Sequence, residues 1–445
     1  MREYKSLFLA MGIALFLCYF QVLGKDFLIY AVLATFIILL AWSFMNNFGL
    51  PIMLFFLPWS PLMRSNVETF SFYTLGLILV CVLCVWRSKL KFDGYQLMIG
   101  LLMMIVTLFS KLISGYGIAV EYFVFVMMFI LFPSIRNEGR GREDIFFNVT
   151  IFYSVGIITA ALSAMFFVDY PNISKFIRVD SYTTIVRMCG FYGDPNFYIA
   201  QITAAFGGIL ILMLDTKNKI HRRWAAVIAV LLLYCGFLSG SKSFILTTTG
   251  VVVLWVIAVL QNKEKGIYKI MILSASIGVV FFIGTSELFS NLIDVVITRL
   301  TYGNTLSDFT TGRTDLWEIY LDAILGDAKI LLIGEGFTNV KVGGRGSHNT
   351  IIQIVYQFGV LGGPLLIVGM SKFYKGLYSA KRRDKIYLLK KSILLIGVFL
   401  PWLAIDILFF DEFFLMQLYV YSGLQYNADQ EYKMLPIVAE SRIKL

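Results

Sequence analysis

Apolar runs of about twenty residues recur along almost the whole chain, separated by short polar or charged breaks. As a helix, a run of that length crosses the roughly 30 Å hydrocarbon core of a bilayer. The pattern predicts spans near 6–23, 26–45, 48–61, 69–86, 95–112, 118–133, 145–168, 190–213, 224–238, 243–260, 268–285, 349–370, 386–408 and 409–426. The expected fold class is therefore all-α. It is a polytopic transmembrane helical bundle of about 12–14 spans, forming one integral membrane domain over 1–445. Residues 1–21 begin with Arg2 and Lys5 and continue into an apolar run with no small-residue cleavage site. They predict a first membrane helix, not a removable leader. No internal repeat of about 20–50 residues is visible.

Composition agrees with this pattern. The chain is 58% hydrophobic and 15% charged, against about 45–50% and about 25% in soluble domains. Its mean hydropathy is +0.78. The net charge of +10 raises the question of nucleic acid, and the placement of the charges answers it. With the N-terminus in the cytoplasm, the inner segments carry twenty-one cations. They are Arg2, Lys5, Arg87, Lys89, Lys91, Arg136, Arg140, Arg142, Lys217, Lys219, Arg222, Arg223, Lys263, Lys265, Lys269, Lys372, Lys375, Lys381, Arg382, Arg383 and Lys385. The short outer turns carry four: Lys25, Arg64, Lys111 and Lys242. That bias orients a membrane protein, and it predicts no nucleic-acid partner. The polar segment 427–445 reads as a cytoplasmic tail, flexible or loosely docked.

Two outer segments are too long to be plain turns, 169–189 and 286–348. Long ordered loops are usually functional. Within the larger one, 313–325 has helical periodicity, with Leu316, Tyr320, Ala323 and Ile324 on one face. Thr314 or Asp315 could cap it, and Gly326 and Asp327 end it. It reads either as a surface helix or as a lid over a lateral cavity.

The chemistry-bearing residues gather in and around these loops. His348, one of only two histidines, follows a glycine-rich stretch at a membrane boundary. It could act as a general base near neutral pH or simply sit hydrated at the interface. Arg313 follows Thr311-Gly312 at a helix start, where a guanidinium fork and free amides suit a phosphate. It could equally be a solvated loop arginine. Gly343-Gly344-Arg345-Gly346 reads as an anion nest or a mobile turn. Arg187 lies just before Gly190-Phe191-Tyr192-Gly193-Asp194-Pro195-Asn196, which is helix-start chemistry; it could face that site or snorkel to lipid head groups. Lys242, in the tight turn Ser239-Gly240-Ser241-Lys242-Ser243, is a fourth cation for the same site or a turn lysine.

Other chemistries lose weight. The chain has no Asp-x-Asp pair, no cluster with metal-ligand spacing, no Walker loop and no Gly-x-Ser-x-Gly elbow. No metal or cofactor is expected. Cys81-x-x-Cys84 has redox spacing but falls inside a predicted span with no second pair, so it reads as packing.

In this order, the residues resemble the O-antigen polymerase and O-antigen ligase superfamily. The likeness rests on Arg187 with Gly190-Phe191 and Pro195-Asn196, and on Ser241-Lys242-Ser243. It continues through Gly312-Arg313 with Trp317, Gly334-x-Gly336, and His348-Asn349 followed by Phe358-Gly359, covering about 187–362. One departure is Lys242, where related sequences often carry arginine; this keeps the charge but loses bidentate geometry.

The resemblance implies a membrane glycosyltransferase on the extracytoplasmic side of a bacterial inner membrane, using a glycan on undecaprenyl pyrophosphate as donor. A polymerase passes the chain to another lipid-linked repeat unit in O-antigen, capsule or exopolysaccharide synthesis. A ligase passes it to lipid A-core. The polymerase is the favoured expectation, with Arg187, Arg313 and Lys242 on the pyrophosphate and His348 as base. A chain-length regulator and a flippase are implied as partners. The rival from another class is a transporter or flippase of lipid-linked sugars. It would show charges buried mid-bilayer, for which Asp406, Asp411 and Glu412 are the acidic candidates.

Overall fold

The structure is a computed structural model. It describes residues 2–64, 71–87, 94–114, 120–135, 145–177, 180–182, 185–215, 219–261, 297, 301, 310, 312–336, 341–374, 385–408 and 410–442. The predicted span 268–285 and much of the predicted loop 286–348 lie outside the described residues.

The chain folds as a helical bundle. In order come α1 (Arg2–Leu23), α2 (Asp26–Met45), α3 (Gly49–Phe56), α4 (Phe72–Arg87), α5 (Gly94–Ser114), α6 (Val120–Ile135) and α7 (Ile145–Phe167). The four-residue α8 (Pro171–Ser174) and a hairpin of β1 (Asp180–Tyr182) and β2 (Ile185–Arg187) follow. Then come α9 (Pro195–Asp215), α10 (Lys219–Phe237), α11 (Lys242–Gln261), α12 (Arg313–Gly326), α13 (Ala328–Ile333), α14 (Thr350–Phe373), α15 (Lys385–Phe399) and α16 (Asp411–Arg442). Among the described residues, eight helices are long and apolar enough to cross a membrane. In hydrocarbon only a helix or a closed barrel satisfies its own backbone polar groups, which is why apolar runs become helices here.

The third predicted span is short for a physical reason. Every residue of α3 is buried, and the run continues as a 3-10 turn over Leu57–Leu62 with Pro58 and Pro61 in it. Proline lacks the N–H that an α-helix needs at that point. In the predicted tail, α16 continues as helix to Arg442.

Two helices form the middle of the bundle. The apolar window of α9 is 89% buried and that of α7 is 72% buried, against 39–44% for the other six candidate spans. Small residues let neighbours approach. A Cβ on Gly156 of α7 would run into the Phe55 backbone of α3. Thr203 of α9 donates from Oγ1 to the Gly397 carbonyl of α15 at 2.8 Å. Large apolar side chains on the periphery, including Phe8, Phe27, Trp86, Leu112 and Phe166, are exposed. That girdle fits lipid rather than water. Cys81 is buried and free, its thiol against Met128 Sδ.

Long-range hydrogen bonds show which helix ends lie together. Gln21 at the end of α1 donates to the carbonyls of Leu62 and Arg64. Asn172 donates to Val22 O, Ser110 at the end of α5 to Gly334 O, and Thr74 at the start of α4 to Asp411. The amide of Met188 donates to Leu238 O. The described segments that the charge pattern assigns to one side thus meet at one end of the bundle, and the candidate residues meet there too.

Candidate functional site

The site is assembled from three stretches of chain. The first is the β-hairpin and the start of α9. The hairpin pairs Asp180 with Arg187, which leaves Arg187 at its end, buried, with Nε donating to Ser239 O at 2.9 Å. Ser239 belongs to the α10–α11 turn, where Gly240 takes φ +55°. The same turn reaches α9, as Ser241 Oγ donates to Asn196 Oδ1 at 3.3 Å. Lys242 follows it as the first residue of α11, half-buried. Asp194 precedes Pro195 and caps α9, accepting from both the backbone amide and the side-chain amide of Asn196 through Oδ1, each at 2.7 Å.

The second stretch is α12. Its N-cap is Gly312 in the left-handed region, φ +76°, not Thr314 or Asp315. Thr314 instead uses its amide to reach Thr310 Oγ1 at 3.3 Å. The predicted end at Gly326 and Asp327 is where the helix stops, and Asp327 then caps α13. Arg313 opens α12. Burial lowers its pKa from the ordinary value; the nearby Asp194 carboxylate raises it again and Arg187 lowers it. Arginine stays charged throughout, so the effect to note is that Arg313 lies within the field of both Asp194 and Arg187.

The third stretch is 341–349, which α12 clamps. Tyr320 OH donates to Arg345 O at 2.8 Å and Trp317 Nε1 to Ser347 O at 3.1 Å. Burial raises the Tyr320 pKa, which keeps it a neutral donor. Of the two readings of the glycine-rich turn, a nest for anions is the poorer fit. The amides of Val342, Gly344 and Arg345 are already used within the protein. His348 adopts φ +49°, uncommon for a residue with a side chain. One carboxylate holds it there. Asp406 accepts from the amides of His348 at 3.0 Å and Asn349 at 3.1 Å, and from Ser347 Oγ. Asn349 then caps α14 by accepting from Ile351 N and Ile352 N.

The three stretches converge on Asp194. Its Oδ2 lies 3.9 Å from His348 Nδ1, a charge contact too long for a hydrogen bond. Nδ1 faces the carboxylate, so Nε2 remains for another partner. Arg313 and His348, far apart in sequence, are therefore both drawn to one carboxylate, and Arg187 lies close enough to Arg313 to act on its charge. Lys242 is tied to them through the turn that binds Arg187, one residue beyond Ser241.

The glycine motifs form a separate device. α14 is broken at Gly359, φ +63° and ψ −174°, which frees the carbonyls of Tyr356 and Gln357. Glu335 N and Gly336 N donate to them at 2.8 and 2.9 Å. Glu335 also pairs with Lys329 at 2.6 Å. Gly334-x-Gly336 and Phe358-Gly359 are thus two sides of one backbone contact.

Sequence reasoning undervalued two residues. Asp194 was visible as a cap, and that local role hid its second oxygen. Asp406 was visible as an intramembrane acid, but its oxygens are committed to the His348 turn. Compared with known proteins, the chain matches no family model and no curated sequence.

Proposed function

We propose that this protein is a polysaccharide polymerase. It joins undecaprenyl-pyrophosphate-linked oligosaccharide repeat units on the extracytoplasmic face of a bacterial inner membrane. The observation that carries this reading is the gathering of Arg313 and His348 about Asp194, with Arg187 beside Arg313, at one end of an apolar bundle. The charge asymmetry of the sequence supports placing that end outside the cytoplasm.

The reaction needs two things at one point. An acceptor hydroxyl must lose its proton as its oxygen attacks the anomeric carbon. The bond from that carbon to the pyrophosphate oxygen must break, with the electron pair leaving on the lipid pyrophosphate. Arg187 and Arg313, with Lys242 behind them, offset the charge on the leaving group. His348 takes the proton on Nε2, while Asp194 faces the positive charge that forms on the ring. A single in-line displacement inverts the anomeric centre.

The test uses purified full-length protein in nanodiscs with lipid-linked repeat units, a chelator and no nucleotide sugar. A growing ladder of lipid-linked polymer is expected. Transfer only to added lipid A-core would replace the polymerase by a ligase, and passage of labelled glycan across the bilayer without bond formation would replace it by a flippase. Arg313→Ala is expected to slow the ladder by about 10²–10³-fold, the usual effect of removing one group that stabilises developing charge. Arg313→Lys should restore part of it, because the charge returns without the fork.

Asp406→Asn tests positioning. It turns an acceptor toward the His348 amide into a donor, so the turn loses its anchor. Polymer formation should fall by about 10²-fold, the scale of a roughly 1 Å misplacement, with folded protein still recovered. Normal polymer from this variant would remove Asp406 from the account.

A further inference from the structure

A cavity of about 760 Å³ opens beside the site, between the segments around Ser60–Arg64, 174–177, 191–197 and 410–412. Its volume falls within the range of about 300–1,000 Å³ that small-molecule sites occupy. Asp194 lines it and, 3.9 Å away, faces His348, so the cavity and the charged cluster share a wall. The rest of its wall mixes aromatic rings and carboxylates with the cations Arg64 and Lys175 and the hydroxyls of Ser60, Ser71 and Ser174. Aromatic rings come from Phe176, Phe191, Tyr192, Phe197 and Phe410, with Phe197 and Phe410 packed edge-to-face at 4.8 Å. Carboxylates come from Asp411 and Glu412 at the start of α16.

The polar wall is built rather than incidental. Thr74 Oγ1 donates to Asp411 Oδ2 at 2.8 Å. Gln201, 1% exposed, donates through Nε2 to Tyr192 OH and, at 3.4 Å, to Glu412 Oε1. Tyr192 OH donates in turn to Leu57 O at 2.7 Å. Carboxylates accept hydrogen bonds from hydroxyl groups. Aromatic faces take the apolar faces of a ring. Together they match the chemistry of a sugar, which presents hydroxyls at its edge and C–H groups on its faces.

We propose that this cavity is the subsite for the acceptor glycan. Its terminal sugar ring is held among the aromatic side chains, with its hydroxyls on Glu412 and Asp411 and one hydroxyl directed past Asp194 toward His348. The assignment of the ligand as the acceptor rests on the polymerase reading; the cavity's affinity for a sugar does not.

The experiment measures binding without turnover. The probe is the lipid-free repeat-unit oligosaccharide, released by mild acid from the source strain's own surface polysaccharide. It is titrated into full-length protein in nanodiscs and followed by saturation-transfer NMR. Wild type is expected to bind it. Glu412→Gln and Phe410→Ala should each weaken binding at least fivefold, and Arg313→Ala should stay within twofold because the probe has no pyrophosphate. Phe410 is exposed at the rim, so its variant decides the matter if Glu412→Gln does not fold. No binding by wild type, or equal binding by folded Phe410→Ala, overturns the cavity assignment even where lipid-linked units are polymerised normally. Weakened binding in a protein that polymerises nothing keeps the cavity as a sugar site and removes the polymerase.

Discussion

His348→Ala is expected to cut polymer formation by about 10²–10⁴-fold, the range that a positioned general base supplies. On a gel of surface polysaccharide from a complemented deletion strain, the ladder should collapse to single repeat units. The alanine variant alone would leave an ambiguity, because His348 sits at φ +49° and alanine tolerates that region poorly. His348→Asn resolves it. Asparagine is at home in the left-handed region and can keep the Asp406-anchored turn, yet it cannot take a proton at neutral pH. Both variants should lose the ladder, and the asparagine variant should accumulate in the membrane like wild type. A normal ladder from His348→Asn would show that the imidazole does no proton transfer, and the mechanism would have to be rebuilt around the arginines.

Gly359→Ala is expected to destabilise the fold by at least about 3 kcal/mol, through backbone geometry alone. The combination φ +63°, ψ −174° is open essentially only to glycine. There is no room either: an added Cβ would overlap the Leu332 carbonyl and the Gly334 nitrogen. Gly334, at φ +75°, meets the backbone of Gln357 and Phe358 in the same way from the other side. Gly363→Ala, on the same helix, is the control, since its Cβ would meet Ile354 at an ordinary 3.4 Å. Fluorescence-detected gel filtration after a heating series reads the difference. Gly359→Ala melting together with Gly363→Ala and wild type would mean that the break in α14 is not required.

The helices were legible because hydrocarbon admits so few backbone solutions, so apolar length alone marks them. The break at Gly359 was not. It lies within one continuous apolar run, 349–370, and its cause is a segment more than twenty residues earlier that donates two amides to it. The site was legible to the same degree. Arg187, Arg313 and His348 stood out as polar residues at the edges of apolar runs. Asp194 did not, since Asp-Pro-Asn is already explained as a helix start. Asp406 stood only as an acidic candidate for the transporter rival, because a lone acid near a span gives no hint of the amides it meets 57 and 58 residues upstream.

The Asp406 anchor also bears on how the chain is made. Synthesis runs from the N-terminus, so a ribosome that has delivered Arg187, Arg313 and His348 to the membrane has yet to deliver the carboxylate that fixes the histidine turn. Fragments released before the stretch leading into α16 would carry the cations and the imidazole without the group that aligns them. Under the proposed polymerase mechanism, prematurely terminated products would therefore be inactive, and the arrangement would close only once the last helices are inserted.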